Sequence, residues 1–210
     1  QEDMEDMEDL VNKASQMPPV RFNGLHFHIG SQILEMDCFV ALSQRINELQ
    51  DRLEAKGIRM EHINVGCGFG IDYQDPDANP VPNFKDYFAA YAKHRKLREG
   101  QQLHFELGRS VTGQCGSLIT KALYIKQGHY KQFCIVDGGF TDLIRPALYD
   151  SYHKVENLSR EEPMETYDVV GPICESTDVF VKDYALNKCN RGDLIAIRSA
   201  GAYGEIMASG

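Results

Sequence analysis

The 210-residue chain has no tryptophan, no strongly basic cluster and no long apolar run. Because no apolar run approaches about 20 residues, we expect no membrane-spanning helix. Residues 1–20 also lack the basic and then apolar pattern of a signal peptide. Without a basic cluster we expect no surface that binds nucleic acid or anionic lipid. These absences predict a cytoplasmic protein without membrane or nucleic-acid partners.

Cysteine is present, but its spacing is not that of a disulfide-rich or zinc-binding domain. The six cysteines are scattered, and the chain has no C-x-x-C pair and no cysteine and histidine at zinc-ligand spacing. We therefore predict neither a disulfide framework nor a metal site. Hydrophobic residues make up 42% of the chain and charged residues 25%, which is typical of a globular protein. The net charge of −9 arises largely from six acids within residues 1–10.

Residues 1–107 alternate between helical and extended patterns. An amphipathic helix is predicted before Pro18, with an apolar side formed by Met4, Met7, Leu10 and Val11. Further helices are predicted over 36–56 and 84–97, and strands over 20–30, 62–70 and 103–107. Since a helix separates each strand from the next, the strands are expected to be parallel, as in part of a TIM-like β/α barrel.

Residues 108–210 have a different sequence pattern. Short segments rich in β-branched residues are separated by glycine, proline and polar turns, and a helical period is weak outside about 140–153. Strands are predicted over 117–126, 132–137, 167–174, 177–184 and 193–198. This half is expected to form a mainly antiparallel β-domain, so the domains are predicted as 1–107 and 108–210.

The predicted strands of the first half end in three segments with functional groups, HFHIGSQ, GCGFG and FELGR. In a β/α barrel such groups collect at the C-terminal ends of the strands. The first segment places His26 and His28 on the same side by strand alternation. A histidine in a strand is, however, more often part of a structural polar network than of an active site.

The other two segments also have two interpretations each. The glycines of GCGFG suit a phosphate, because their backbone N–H groups can approach an anion, but they also suit a tight turn. Glu106 and Arg109 of FELGR suit either a ligand or an intrachain ion pair. Together, a ring for stacking, a carboxylate, glycines and a guanidinium match pyridoxal 5'-phosphate, whose pyridine nitrogen and phosphate need such partners.

Six segments in order closely resemble the diaminopimelate decarboxylases, a family of fold-type III enzymes that use pyridoxal phosphate. They are GLHFHIGSQI, NVGCGFGIDY, FELGR, VDGGFTDLIRPALYDSYH, YDVVGPICESTDVF and RSAGAYGEIMASG. The resemblance implies a β/α barrel followed by a β-domain, and a homodimer with composite active sites. It also implies the decarboxylation of meso-2,6-diaminopimelate to L-lysine and CO2, in lysine biosynthesis.

The same resemblance implies roles for the cofactor-binding residues. His28 would lie against the cofactor ring, and Glu106 would face the pyridine nitrogen. Ser31, Tyr203 and the backbone of three successive residues would lie near the phosphate; those three are Gly66, Cys67 and Gly68.

Further roles concern the amino acid substrate. Arg109 would lie near both the phosphate and the substrate, while Arg145 and Tyr149 would hold a substrate carboxylate. Cys174 would donate the proton to the decarboxylated carbon, and Glu175 would recognise the distal amino acid centre.

The chain departs from the family pattern in two respects. Cys67 replaces the middle glycine of the family's triplet, so its Cβ could crowd a phosphate. None of the eleven lysines lies in a segment that resembles the family's Schiff-base site. We therefore expect the chain to correspond to the second half of such an enzyme and to be inactive alone. The alternatives are another fold-type III decarboxylase, acting on ornithine, arginine or carboxynorspermidine, and a non-catalytic binding protein related to the decarboxylases.

Overall fold

A computed structural model describes residues 2–161 and 163–209, apart from the side chains of Glu2 and Asp3. The chain divides into two compact units. The first unit contains the chain up to Gly70 together with Asn83–Leu107, and the second contains Ile71–Pro82 together with the chain from Gly108 onward. Residues 71–82, which the sequence assigns to the first domain, thus lie in the second unit. In the described part of the chain no helix has the length and apolar character that crossing a membrane requires.

The first unit is built from strands and helices in alternation. Its elements are α1 Glu2–Ser15, β1 Gly24–His26, α2 Met36–Ala55, β2 His62–Asn64, α3 Phe84–His94 and β3 Gln102–His104. The three strands form one sheet in the order β1, β2, β3, and both pairings are parallel. Helices α2 and α3 provide the crossovers between successive strands, which explains the parallel pairing.

The strands of the first unit are shorter than predicted. Each strand has three residues; β1 and β2 lie within their predicted segments, whereas β3 begins one residue before its segment, and the residues that follow each strand form loops. After β2 the extended conformation ends because Gly66 and Gly68 have φ values of +68° and +118°, outside the β region. The functional segments therefore lie on loops that follow the strands.

The core of the first unit lies between the sheet and the helices. Helix α2 buries residues at the predicted helical spacing, namely Phe39, Leu42, Ile46, Leu49 and Leu53. The Phe69 ring stacks on Tyr87 with centroids 4.6 Å apart, and Phe39 meets Tyr87 edge-on at 4.8 Å. These aromatic contacts join α2 and α3 to the loop after β2.

Helix α1 differs from its prediction at two positions. Val11 is buried as expected, but the Leu10 side chain is 65% exposed. Glu8 lies outside the predicted apolar side, where an acid is expected to be exposed, but it is buried and forms ion pairs with Arg52 and Lys56. These two cations lower the pKa of the Glu8 carboxyl, chiefly through the hydrogen bond from Lys56. The helix is therefore attached to α2 by charge as well as by apolar contact.

The second unit is a six-stranded sheet with two short helices. Its strands are β4 Leu118–Gln127, β5 Gln132–Val136, β6 Val155–Asn157, β7 Met164–Val170, β8 Val179–Asn187 and β9 Leu194–Ile197. The helices are α4 Arg109–Thr112 and α5 Arg145–Tyr149, and short 3-10 turns cover Gly113–Cys115 and Glu205–Met207. Strand β6 and helix α4 have no counterpart in the sequence prediction, because each is too short to show a period.

The sheet of the second unit is mixed. The strand order is β6, β9, β4, β5, β7, β8, and every pairing is antiparallel except that of β5 with β7. The long connection through α5 and β6 allows β7 to return parallel to β5. The two edge strands approach each other, since the Tyr184 hydroxyl on β8 accepts the N–H of Val155 on β6 at 3.3 Å. The sheet is thus nearly closed.

A buried carboxylate lies at the turn before β9. Asp193 is 4% exposed and accepts hydrogen bonds from the Arg160 guanidinium, the Asn157 amide and the Asn190 backbone N–H. Burial raises the pKa of the Asp193 carboxyl, but these donors outweigh burial and hold the pKa below 3.8. The turn therefore depends on an ionised Asp193.

Candidate functional site

The loops after β2 and β3 bring together the polar groups of the first unit. The Asn64 amide nitrogen donates to Glu106 Oε1 at 2.7 Å, and Asn64 Oδ1 accepts the Gly66 N–H at 2.8 Å. The second oxygen of Glu106 lies 3.3 Å from His26 Nε2. Because the Glu106 side chain is 53% exposed, its carboxylate is held in place by two neighbours while remaining accessible.

The glycines of the loop after β2 allow a close approach to the loop after β1. A Cβ at Gly66 would lie 2.2 Å from the carbonyl oxygen of Phe27, and one at Gly68 would lie 2.8 Å from that of Gly30. Both glycines also have positive φ, which disfavours any other residue. The turn interpretation of this segment is therefore sufficient to explain its glycines.

The backbone N–H groups of the same loop differ in their partners. The Gly66 N–H is occupied by Asn64, whereas the N–H groups of Cys67 and Gly68 have no acceptor among the described residues of the unit. Two backbone donors on a glycine loop can bind an anion. Cys67 is half-buried, and its Sγ lies 3.5 Å from Nδ1 of the exposed His28. Ser31 is also exposed, on the loop after β1.

In the second unit two arginines and three tyrosines form a cluster, which we call the arginine–tyrosine cluster. Its members are Arg109, Arg145, Tyr73, Tyr149 and Tyr203. The Arg109 Cζ lies 4.8 Å from the centre of the Tyr203 ring, and the Arg145 Cζ lies 5.6 Å from it. Tyr149, at the end of α5, is exposed, and its ring centre lies 5.9 Å from the Arg145 Cζ. Four of the predicted site residues are thus neighbours.

Arg145 is the buried member of this cluster. The residue is only 7% exposed. Its Nη2 donates to Ser151 Oγ at 3.2 Å, and its Nε has no hydrogen-bond partner among the described residues. No carboxylate of the described residues forms an ion pair with Arg145. Burial, and to a smaller extent the charge of Arg109, lowers the pKa of the Arg145 guanidinium. A buried cation of this kind is a strong candidate for binding an anion.

Tyr73 and His153 belong to the same region, and the sequence predictions did not include them. Arg109 Nη1 donates to the Tyr73 hydroxyl at 2.5 Å, and the Tyr73 ring meets the His153 ring edge-on at 5.2 Å. His153 is buried, and its pKa is lowered to about 4, chiefly by burial. The signal in the sequence was that each residue ends a segment that carries the family resemblance, Tyr73 in NVGCGFGIDY and His153 in VDGGFTDLIRPALYDSYH.

The segment 71–82 that carries Tyr73 is anchored to the second unit by charge. Asp77 forms ion pairs with Lys154 and Arg198, both at 2.8 Å. The Gln114 side chain donates to the Asn79 carbonyl oxygen at 2.7 Å. These contacts fix the loop and explain why it belongs to this unit although β2 precedes it.

Cys174 and Glu175 lie on the exposed turn between β7 and β8. Hydrogen bonds from Thr177 and Ser176 lower the pKa of the Glu175 carboxyl, the backbone N–H of Thr177 having the largest effect. No hydrogen bond of the described residues connects this turn with the arginine–tyrosine cluster. In the described chain no group of three or more histidine, cysteine, aspartate or glutamate residues is placed to hold a metal ion.

Comparisons with known proteins agree on one family. Residues 9–201 match the family described as pyridoxal-dependent decarboxylase, C-terminal sheet domain. The diaminopimelate decarboxylase of Bacteroides thetaiotaomicron is 66% identical over 207 residues, which cover 99% of this chain and 54% of that protein. The match to that relative therefore spans about half of its length.

Solved structures of decarboxylases also match nearly the whole of this chain and about half of their own length. A diaminopimelate decarboxylase from Helicobacter pylori complexed with L-lysine has a TM-score of 0.84 and 33% identity, covering 98% of this chain and 50% of that one. A lysine/ornithine decarboxylase from Vibrio vulnificus complexed with cadaverine has a TM-score of 0.86 at 20% identity, covering 98% and 56%, and so shares the fold. The family match covers most of the chain, and the chain therefore belongs to the family of pyridoxal-dependent decarboxylases.

Proposed function

We propose that this chain forms the second half of a decarboxylase that converts meso-2,6-diaminopimelate to L-lysine and CO2. The observation that carries the proposal is the buried Arg145 guanidinium, which has no acidic partner among the described residues and is surrounded by tyrosine rings. A fork of N–H donors in such surroundings suits a carboxylate. The names of the relatives and the L-lysine in the Helicobacter structure support this choice of substrate and product.

The residues of the first unit fit pyridoxal 5'-phosphate. The unoccupied N–H groups of Cys67 and Gly68 suit its phosphate, and His28 offers a ring for stacking. Ser31 would add a hydroxyl near the phosphate. When bound, the cofactor supplies an electron sink for the electron pair that remains on the α-carbon after CO2 leaves.

Glu106 would act on the ring nitrogen of the cofactor. A carboxylate beside that nitrogen keeps its proton in place. The hydrogen bond from Asn64 and the approach of His26 fix the carboxylate without covering it. The Glu106 carboxylate therefore remains accessible to a ligand, which a purely structural ion pair would not require.

The second unit would recognise the substrate. Arg145 and Tyr149 would hold its carboxylate, and Arg109 with Tyr203 would lie toward the phosphate and the substrate. Cys174 would deliver a proton to the α-carbon in place of the lost carboxyl group, and Glu175 would bind the distal amino group. Because the turn with Cys174 is exposed, it could contribute to the active site of a second subunit, and we propose a homodimer with composite sites.

We further propose that β1, β2 and β3 belong to a β/α barrel completed by a segment equivalent to the remaining part of the relatives. In the sheet of the first unit, the outer strands β1 and β3 each have one edge without a partner strand among the described residues, and closure of a barrel would pair both edges. This assigns residues 1–107 to the barrel, apart from the loop 71–82 that lies in the second unit, and residues 108–210 to the β-domain.

The test uses a fusion of this chain with the part of the Bacteroides relative that it does not cover. We expect the fusion, loaded with pyridoxal 5'-phosphate, to release CO2 from meso-2,6-diaminopimelate and to form L-lysine. The control is the same fusion with Arg145→Met, which should lose activity. Preference for ornithine or arginine would favour a related decarboxylase, and cofactor binding without CO2 release would favour a non-catalytic protein.

A further inference from the structure

Tyr73 lies between the two arginines of the arginine–tyrosine cluster. Its ring centre is 5.8 Å from the Arg109 Cζ and 5.7 Å from the Arg145 Cζ, and its hydroxyl accepts a hydrogen bond from Arg109. Tyr73 therefore contacts both cations, whereas the hydrogen bond ties it to one of them.

Two like charges placed close together repel each other, and a nearby anion or aromatic face offsets part of that repulsion. Both guanidinium groups face the rings of Tyr73 and Tyr203. The electron-rich faces of these rings offset part of the repulsion before any ligand binds. The arrangement is thus prepared for an anion.

Tyr73 is itself held rigidly. Its ring lies nearly perpendicular to the ring of His153, whose Nδ1 donates to the carbonyl oxygen of Arg198 at 2.8 Å. The Arg198 side chain in turn pairs with Asp77 on the loop that carries Tyr73. The hydrogen bonds and ion pairs of Arg198 therefore support both the ring and its loop.

We propose that Tyr73 is a positioning residue that fixes the relative placement of Arg109 and Arg145 and thereby sets the affinity for the substrate carboxylate. The inference rests on the proposed function. Tyr73 acts through the arginines, so its loss weakens binding in the ground state and the transition state alike. Such a loss raises KM and leaves kcat nearly unchanged.

The test compares Tyr73→Phe and Tyr73→Leu in the fusion described above. Removal of one charge-assisted hydrogen bond at a half-buried site is expected to raise KM about fivefold in Tyr73→Phe. Loss of the ring as well is expected to raise KM about 30-fold in Tyr73→Leu. In both variants kcat should stay within about twofold of its original value.

A second readout does not depend on turnover. Binding of L-lysine to the 210-residue chain, measured by calorimetry, should weaken in the same order, from the original chain to Tyr73→Phe and then to Tyr73→Leu. The matched control is Tyr130→Leu, since Tyr130 is 99% exposed in the same unit. Its KM and L-lysine affinity should not change.

The outcomes separate this inference from the proposed function. If Arg145→Met weakens binding but both Tyr73 variants bind normally, Tyr73 has no positioning role while the function stands. A fall in kcat at constant KM would equally overturn the inference. If the original fusion releases no CO2, the proposed function fails, and L-lysine binding still decides the role of Tyr73. Should Tyr73→Leu fail to fold, as judged by circular dichroism, Tyr73→Phe decides alone.

Discussion

Replacement of Arg145 by methionine should stabilise the chain while removing its affinity for a carboxylate. Arg145 is a buried cation whose charge has no acidic partner among the described residues. Methionine fills a similar volume and follows the irregular shape of such a site without carrying a charge. The residue is thus one at which binding and stability are expected to oppose each other.

The magnitude follows from the contacts that the change removes. The three ring centres lie 5.6–5.9 Å from the Arg145 Cζ, near the outer limit for cation–π attraction, so each contact contributes about 0.5 kcal/mol. The 3.2 Å hydrogen bond to Ser151 contributes about 1.5 kcal/mol. Burial of an uncompensated charge costs several kcal/mol, so the net gain from Arg145→Met is about 1–2 kcal/mol.

Thermal unfolding without ligands measures this gain. A change of 1–2 kcal/mol corresponds to a rise in Tm of roughly 3–6 °C for a chain of this size. Calorimetry should at the same time show no binding of L-lysine. The control is Arg191→Met, an exposed arginine in the same unit whose Cζ lies 5.4 Å from the Tyr124 ring centre. Its Tm should be nearly unchanged.

A fall in Tm for Arg145→Met would refute this reasoning. It would show that the guanidinium contributes more to stability than its burial costs, and that Arg145 is a structural residue. Retention of L-lysine binding would independently refute the assignment of the carboxylate to Arg145.

Three further predictions concern other parts of the chain. Gly66→Ala should lower the free energy of unfolding in urea by about 2–3 kcal/mol and weaken cofactor binding, because its Cβ would clash with a carbonyl oxygen; Gly57→Ala, where φ is positive but the space is open, should cost less. Asp193→Asn should lower the free energy of unfolding at neutral pH. Below pH 3.8 the original chain should lose stability as Asp193 takes up a proton, because the pKa of this carboxyl is lowered in the native state, and the variant should lose less stability over the same range. In urea titrations at several pH values, equal pH slopes for the two proteins would contradict this. In the fusion, Glu106→Gln should reduce kcat and kcat/KM together far more than cofactor affinity, and an unchanged kcat would show that Glu106 serves only as a partner of its neighbours.

The local elements of the first unit could be predicted from the sequence. The helical spacing of apolar residues in α2 and the alternation of helices with strands depend on short-range pattern, and the structure agrees with both. The ends of the strands could not be predicted, because they depend on where loops exchange hydrogen bonds. The contact of Asn64 with both Gly66 and Glu106 is of this kind.

The chemical character of the candidate site was also visible in the sequence. The segments with His28, Glu106, Arg109 and Arg145 indicated a pyridoxal phosphate enzyme, and the chain does belong to that family. The roles of these residues remain predictions. What the sequence determined here was the type of each functional group, since residue type and order along the chain are what motifs record.

Only the tertiary structure decided which of these groups are neighbours. Tyr73 reaches Arg109 across 36 residues, and Arg198 reaches Asp77 across 121 residues. Glu8 is likewise buried, against Arg52 of α2 and Lys56 just after it, although acids surround it in the sequence. Contacts between residues so far apart in the sequence depend on how the chain folds back on itself and on the pairing of opposite charges in the folded state. No local spacing of residues in the sequence encodes them.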